Sequence, residues 1–218
     1  LALGALLAFI GQTYQTGADA WQLFAVWAVL ALPWTVVAAK DGLWALWLVI
    51  AATGLGFWCS VQLNLFGIFS PGLAGLWPQL LLWLPLWLLP GGLPHFKVCA
   101  IAQPRISRAV GAGMALGAWA GFGVMSVLQR DADWAVFGLA SVLVAAVVAA
   151  AWRKRNILVL GLGLMAANAL WLVAAGHYLF STLDWAGTGA FSLMTLVIAA
   201  SVGASAHGLY RLQKEGAV

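Results

Sequence analysis

Charge placement constrains this chain more than any other feature of its sequence. All 16 charged residues lie in loops or at the ends of hydrophobic segments, and they make up 7% of a chain that is 64% apolar. A water-soluble domain carries about 25% charged residues, so this chain has too few to cover a soluble surface. Its hydrophobicity excludes disorder, and two cysteines are too few for a disulfide scaffold. The composition predicts a polytopic membrane protein.

Eight hydrophobic segments separate the charged positions. A membrane-spanning helix needs about 20 apolar residues, and the first segment has about half of that length. We therefore expect the chain to start inside a helix, with further helices upstream. The predicted fold is all-α, a transmembrane helix bundle that forms a single domain over residues 1–218. The segments are Leu1–Ile10, Ala20–Ala39, Leu43–Leu63, Leu73–Leu89, Ala109–Leu128, Trp134–Ala151, Ile157–Phe180 and Gly187–Leu209.

Lysine and arginine cluster on alternate loops of this predicted bundle. Cytoplasmic loops retain these residues, so the pattern predicts a cytoplasmic C-terminus and outward loops near residues 12–19, 64–72, 129–133 and 181–186. The net charge of +4 is then explained by this retention and by anionic lipid headgroups, without nucleic acid. Nine of the ten basic residues share the cytoplasmic side: Lys40, Lys97, Arg105, Arg108, Arg153, Lys154, Arg155, Arg211 and Lys214.

Four aspartates stand one to three residues before a tryptophan that opens a helix: Asp19, Asp41, Asp133 and Asp184. This is the position of an N-cap, where a carboxylate accepts backbone N–H groups and meets the positive end of the helix dipole. Capping explains these residues without catalysis, and no carboxylate pair shares a helix face. We therefore predict no enzyme activity, no catalytic residue, no metal site and no cofactor.

Histidine and glycine motifs also favour structural interpretations. His177 and His207 are predicted in opposite leaflets, so they cannot ligate one metal ion or haem together. The string from Gly161 to Ala166 matches the dinucleotide pattern G-x-G-x-x-A, but it lies inside an apolar helix where no phosphate can reach the glycines. Both motifs are therefore expected to serve helix packing or the membrane interface.

Tryptophan occurs 14 times, and thirteen of the copies fall into two groups. Those at segment ends suit an aromatic belt, because indole prefers the headgroup region. They are Trp21, Trp34, Trp44, Trp77, Trp134, Trp152 and Trp185. For the deeper copies helix packing and an aromatic-lined ligand pocket both remain open. They are Trp47, Trp58, Trp83, Trp87, Trp119 and Trp171.

Three further features point to helix contacts within the membrane. Gly113, Gly117 and Gly121 recur every four residues and predict close approach of another helix, from this chain or a second copy, which Gly117→Leu should disrupt. Asn168, deep in the seventh segment, suits either an interhelical hydrogen bond or a substrate contact. Pro85 is expected to kink the fourth segment, as in the broken helices of transporters.

The outward edge carries the densest neutral polar cluster, GQTYQTGAD at residues 11–19. The longer string GQTYQTGADAWQLFAVWAVLALPW, residues 11–34, resembles the signature of a bacterial membrane protein family, domain of unknown function 2157. The resemblance is close over residues 1–60 and looser over 61–218. It implies a bacterial inner-membrane location and additional upstream helices. It marks as candidate ligand or partner contacts Gln12, Tyr14, Gln15, Thr16 and Asp19.

Three classes of function follow from these features. The first is a non-enzymatic membrane component that binds a partner or ligand at its outer face, in addition to its contact with lipid, either as a homo-oligomer or with another membrane protein. The second is a permease or channel for a small neutral solute, which the absence of buried charge weakens. The third, an intramembrane enzyme, lacks any visible nucleophile or metal constellation.

Overall fold

The computed structural model describes residues 4, 19–62, 81–92, 104–128, 133–182 and 188–216. Within these ranges the regular structure is entirely α-helical, which confirms the predicted fold class. The helices are α1 (Ala20–Ala38), α2 (Asp41–Gln62), α3 (Leu84–Gly92), α4 (Ile106–Leu128), α5 (Trp134–Arg153), α6 (Ile157–Thr182) and α7 (Thr188–Gly216).

Six of these helices, all except α3, are long and apolar enough to cross a membrane. They correspond to six of the eight predicted segments. Apart from Gly4, the segment Leu1–Ile10 lies outside the described residues, and Leu73–Leu89 is described only from residue 81 onward. The polytopic prediction holds, whereas these two segments are not seen as complete spans.

The fourth segment is interrupted close to its second proline. Residues 81–82 are helical, Trp83 forms a turn, and α3 then begins at Leu84 and runs for nine residues. Pro85 therefore lies in the first turn of α3, where its missing N–H removes no helical hydrogen bond. The kink expected at Pro85 is found as a break two residues earlier.

The chain divides into two compact units, and the first comprises residues Leu1–Ala115. Here α1 and α2 form an antiparallel pair joined by a short turn at Ala39, which has a left-handed φ of 47°. The indole of Trp47 donates to the Ala28 carbonyl at 2.8 Å, and the rings of Phe24 and Phe57 stack 5.6 Å apart. A Cβ added at Gly54 would lie 3.1 Å from Phe24, so glycine permits this close approach.

The second unit comprises Leu116–Val218. One face of α5 supplies much of its core, with residues spaced three or four apart and all buried. Gly163 of α6 packs against Val148, and the ring of His177 contacts Trp134 edge to face at 5.9 Å. The buried residues of α5 are Val136, Ala140, Val144, Val147 and Ala151. A single domain over residues 1–218 stays a prediction.

Candidate functional site

The carboxylate of Asp41 caps a helix other than its own. The backbone N–H groups of Arg105, Ile106 and Ser107 donate to its two oxygens at 2.9, 2.7 and 3.0 Å. Asp41 is itself the first residue of α2, so the prediction that it caps its own helix is wrong. A carboxylate here satisfies the otherwise unpaired N–H groups of α4 and meets its positive dipole end. With this external cap α4 begins at Ile106, three residues before the predicted start.

This contact places the beginnings of α2 and α4 on the same side of the membrane. Lys40 precedes Asp41, and Arg105 donates to it, so both cations lie at one face of the first unit. Charge counting puts the same two residues on the cytoplasmic side. The contact is therefore consistent with the predicted orientation, in which these two loops share one side.

Most of the predicted outer-face site, Gln12, Tyr14, Gln15 and Thr16, lies outside the described residues. Asp19 is described and occupies the N-cap position of α1 with an extended backbone, but its carboxylate makes no capping hydrogen bond. It accepts instead from the indole N–H of Trp21 at 3.3 Å. Because the side chain turns toward Trp21, the expected capping role of the Asp19 carboxylate is not found.

Asp133 and Asp184 are the other two aspartates predicted to cap a helix. Asp133 caps α5 as predicted, because the N–H groups of Ala135 and Val136 donate to its Oδ1 at 3.1 and 3.2 Å. Asp184 lies outside the described residues. Of the three described aspartates, one therefore caps the helix it precedes.

Asn168 joins α6 to α7 through both ends of its side-chain amide. Its Nδ2 donates to Ser205 Oγ at 2.9 Å, and Ser201 Oγ donates to its Oδ1. Ser201 and Ser205 are four residues apart and so share one face of α7. This is the interhelical bonding that the packing interpretation of Asn168 requires, while a substrate contact there stays a prediction. The i, i+4 serine pair in an apolar helix is a sequence signal that could have identified the partners.

At two of its three positions the predicted glycine face of α4 has no close neighbour among the described residues. Gly117 and Gly121 are exposed, and a Cβ added at either would have no atom within 4 Å. Close packing occurs instead at Gly111, against Leu86 and Pro90, and at Gly123, against Leu170 and Ala140. The contact of the face formed by Gly113, Gly117 and Gly121 with another helix, from this chain or a second copy, therefore stays a prediction.

The exposed and buried tryptophans do not match the predicted division into belt and deep positions. Trp34, Trp134 and Trp152 are exposed at helix ends, as an aromatic belt requires. Trp44 is only 3% exposed and packs with Val36, Trp47 and Leu89, so its assignment to the belt is wrong. The reason is the short turn before α2, which brings the first turn of that helix against its neighbours. The deep Trp119 is fully buried, whereas the equally deep Trp171 is exposed.

Within the described ranges no group of three or more His, Cys, Asp or Glu side chains lies close enough to hold a metal ion. His177 contacts Trp134 at one end of α6. The G-x-G-x-x-A string lies wholly inside α6, where Gly163 contacts Val148 of α5. These two motifs therefore have packing contacts in the fold.

The arrangement defines a class of protein: a multi-pass α-helical membrane protein. Comparison with known families agrees, since the family described as "Predicted membrane protein (DUF2157)" matches residues 1–44. The matched region contains the sequence GQTYQTGAD, all of α1 and the start of α2. No curated protein and no solved structure matches the chain. The match lies within the part of the chain where the sequence resemblance is close.

Proposed function

We propose that this protein is a non-enzymatic component of the bacterial inner membrane, with a cytoplasmic C-terminus, that binds a partner membrane protein at its outer face. The contact consists of the loop at residues 12–19 and the exposed side of α1, which follows that loop. One observation carries the proposal. Thr35 is the only residue of α1 that is buried.

The exposed side of α1 lies within the region that matches the family. The matched region, residues 1–44, includes this whole helix, yet apart from the side that packs against α2 the helix is largely exposed. Side chains such as Val29 and Trp34 are 69% and 77% exposed. Lipid alone would accept any apolar sequence here, whereas a partner protein selects particular side chains. A specific sequence on a helix that keeps one side exposed therefore supports a contact with another protein.

The junction between loop and helix is also suited to recognition. Asp19 is exposed and keeps its carboxylate away from the backbone of α1, against the indole of Trp21. Its free oxygen lone pairs can therefore accept hydrogen bonds from a partner. Exposed polar residues in a loop set on a rigid helix are a common form of binding site.

A photoreactive amino acid placed in α1 of the full-length protein tests this proposal in native membranes. At Val26 or Val29, which are exposed, the crosslinker should join the protein to one defined second protein. Thr35, on the same helix but 4% exposed, is the matched control and should give no such product. Joint replacement of Tyr14 and Gln15 by Ala should lower the yield from Val29. Products at Val29 that contain only lipid or only this protein's own helices would refute the proposal.

A permease for a small neutral solute is the second candidate, and the break at Trp83 before α3 favours it. Transporters form binding sites at such interruptions, where backbone groups face the protein interior. Osmotic swelling of proteoliposomes in glycerol or urea tests this candidate. Uptake above that of protein-free vesicles would favour a permease, and uptake equal to theirs would favour the partner-binding function.

A further inference from the structure

An apolar groove of about 660 Å³ lies between α5 and α6 in the second unit. Nine of the eleven described residues that line it are apolar, and they include three aromatic rings. The polar Ser141 donates its hydroxyl hydrogen to the Phe137 carbonyl, so it offers the groove little hydrogen-bonding capacity. From Phe137 to Arg153 the lining follows α5 for about 24 Å at 1.5 Å per residue. The groove is therefore long enough for an acyl chain, and its aromatic walls are Phe137, Trp152 and Trp171.

The groove ends at a cluster of positive charge. Arg153 lines it at the last residue of α5, and Lys154 and Arg155 follow directly in the turn to α6. All three side chains are exposed, and none forms an ion pair within the described ranges. No carboxylate is among the described residues that line the groove. Trp152, beside Arg153, provides an indole of the kind that lies at lipid headgroups.

We propose that this groove binds one anionic phospholipid, with an acyl chain along the apolar walls and the phosphate at Arg153. The apolar walls require the acyl chain, and the cations require the phosphate. A soluble anion would leave the apolar walls uncovered, and a partner's apolar helix would leave the cations unpaired. The ammonium group of a zwitterionic lipid would be repelled by Lys154 and Arg155. Basic pockets between helices on the cytoplasmic side are known to suit anionic headgroups.

Native mass spectrometry of the full-length protein, stripped of lipid in detergent and titrated with phosphatidylglycerol, tests the proposal. We expect one phosphatidylglycerol to be retained in preference to phosphatidylcholine. Arg153→Gln should weaken that binding about fivefold, the effect typical of one basic residue near an anionic lipid. Arg211→Gln removes an exposed cation from α7 instead and should leave the binding unchanged. Inorganic phosphate should not displace the lipid.

A second pair of variants tests the apolar part of the site. Ala149→Trp fills the groove from an exposed lining position and should abolish the retained lipid. Val142→Trp adds a comparable bulk at an exposed position of α5 that does not line the groove, and it should retain the lipid. Circular dichroism in the same detergent checks that both are folded. Equal retention of the two lipids, or retention unaffected by both Arg153→Gln and Ala149→Trp, would overturn the proposal.

Discussion

Helices α1 and α4 have almost the same mean hydropathy, yet the fold buries very different shares of their residues. In the membrane-spanning window of α4, 56% of the residues are buried, whereas in α1 the share is 6%. Glycine accounts for part of the difference, through the close contacts at Gly111 and Gly123 of α4. Helix α4 contains five glycines and α1 contains none. Hydropathy thus determines whether a helix can span the bilayer, while small residues determine how closely other helices can approach it.

The largest effect should come from a methyl group added where α4 is packed most closely. A Cβ at Gly111 would collide with the backbone carbonyl of Leu86, which cannot rotate away as a side chain can. We expect Gly111→Ala to reduce the free energy of unfolding by about 3 kcal/mol, as overpacking does. Unfolding in mixed micelles measures the change.

Gly117→Ala is the matched control, because the same methyl group would meet no neighbour there. It should stabilise the isolated chain by about 0.5–1 kcal/mol through helix propensity. A loss of stability, or of an oligomer seen with the unaltered protein, would instead show that the predicted glycine face packs against another copy.

Removal of the cap that links α2 to α4 should have the next largest effect. Asp41→Ala leaves three backbone N–H groups at the start of α4 without their acceptor, which should cost about 2 kcal/mol of stability. Asp19→Ala is the control, since that carboxylate accepts no backbone N–H group from α1. Equal losses for the two variants in the same unfolding assay would contradict the importance of the cross-helix cap.

The attachment of α7 provides a third test. None of the residues in its membrane-spanning window is buried, so the bonds from Asn168 to Ser201 and Ser205 should matter for its position. Asn168→Leu should destabilise the fold by about 1 kcal/mol, the usual magnitude for such bonds in membranes. In a double-mutant cycle the effects of Asn168→Leu and Ser205→Ala should be non-additive. Strict additivity would mean that the amide and the hydroxyl do not interact.

The smallest effect is expected at the turn between α1 and α2. Ala39 has a φ of 47°, a conformation in which glycine is favoured because it lacks a Cβ. Ala39→Gly should therefore raise stability by about 0.5–1 kcal/mol. Ala31→Gly, inside α1, should lower it by a similar amount. A destabilising effect of Ala39→Gly would show that the turn has a different backbone in solution.

Much of the helical layout follows from local sequence. The helix α5 begins one residue after Asp133 and buries side chains at helical spacing, and both features are visible in the chain itself. The cap of α4 is different, because its acceptor Asp41 lies 65 residues from Ile106. No local pattern relates two residues so far apart. The same holds for Gly111, whose close neighbour Leu86 is set by the fold rather than by glycine spacing.

The candidate site was less predictable than the fold. The sequence identifies the loop at residues 12–19 as polar and similar to a family, but it does not show how little of α1 the chain would bury. Burial depends on which helices have faces that fit, and apolar side chains look alike whether lipid or protein surrounds them. Trp171 shows the same difficulty, since its sequence position is as deep as that of Trp119 yet it lines an open groove.

Carbene footprinting with a membrane-dissolved diazirine tests the difference between α1 and α4 most directly. The protein is labelled once in native membranes and once after purification into nanodiscs. Leu116 and Trp119 of α4 should be protected in both, because the chain itself covers them. Val26 and Val29 of α1 should be labelled in nanodiscs and protected in native membranes, where the proposed partner would cover them. Equal labelling of α1 in the two preparations would contradict the account, since α1 would then face lipid alone.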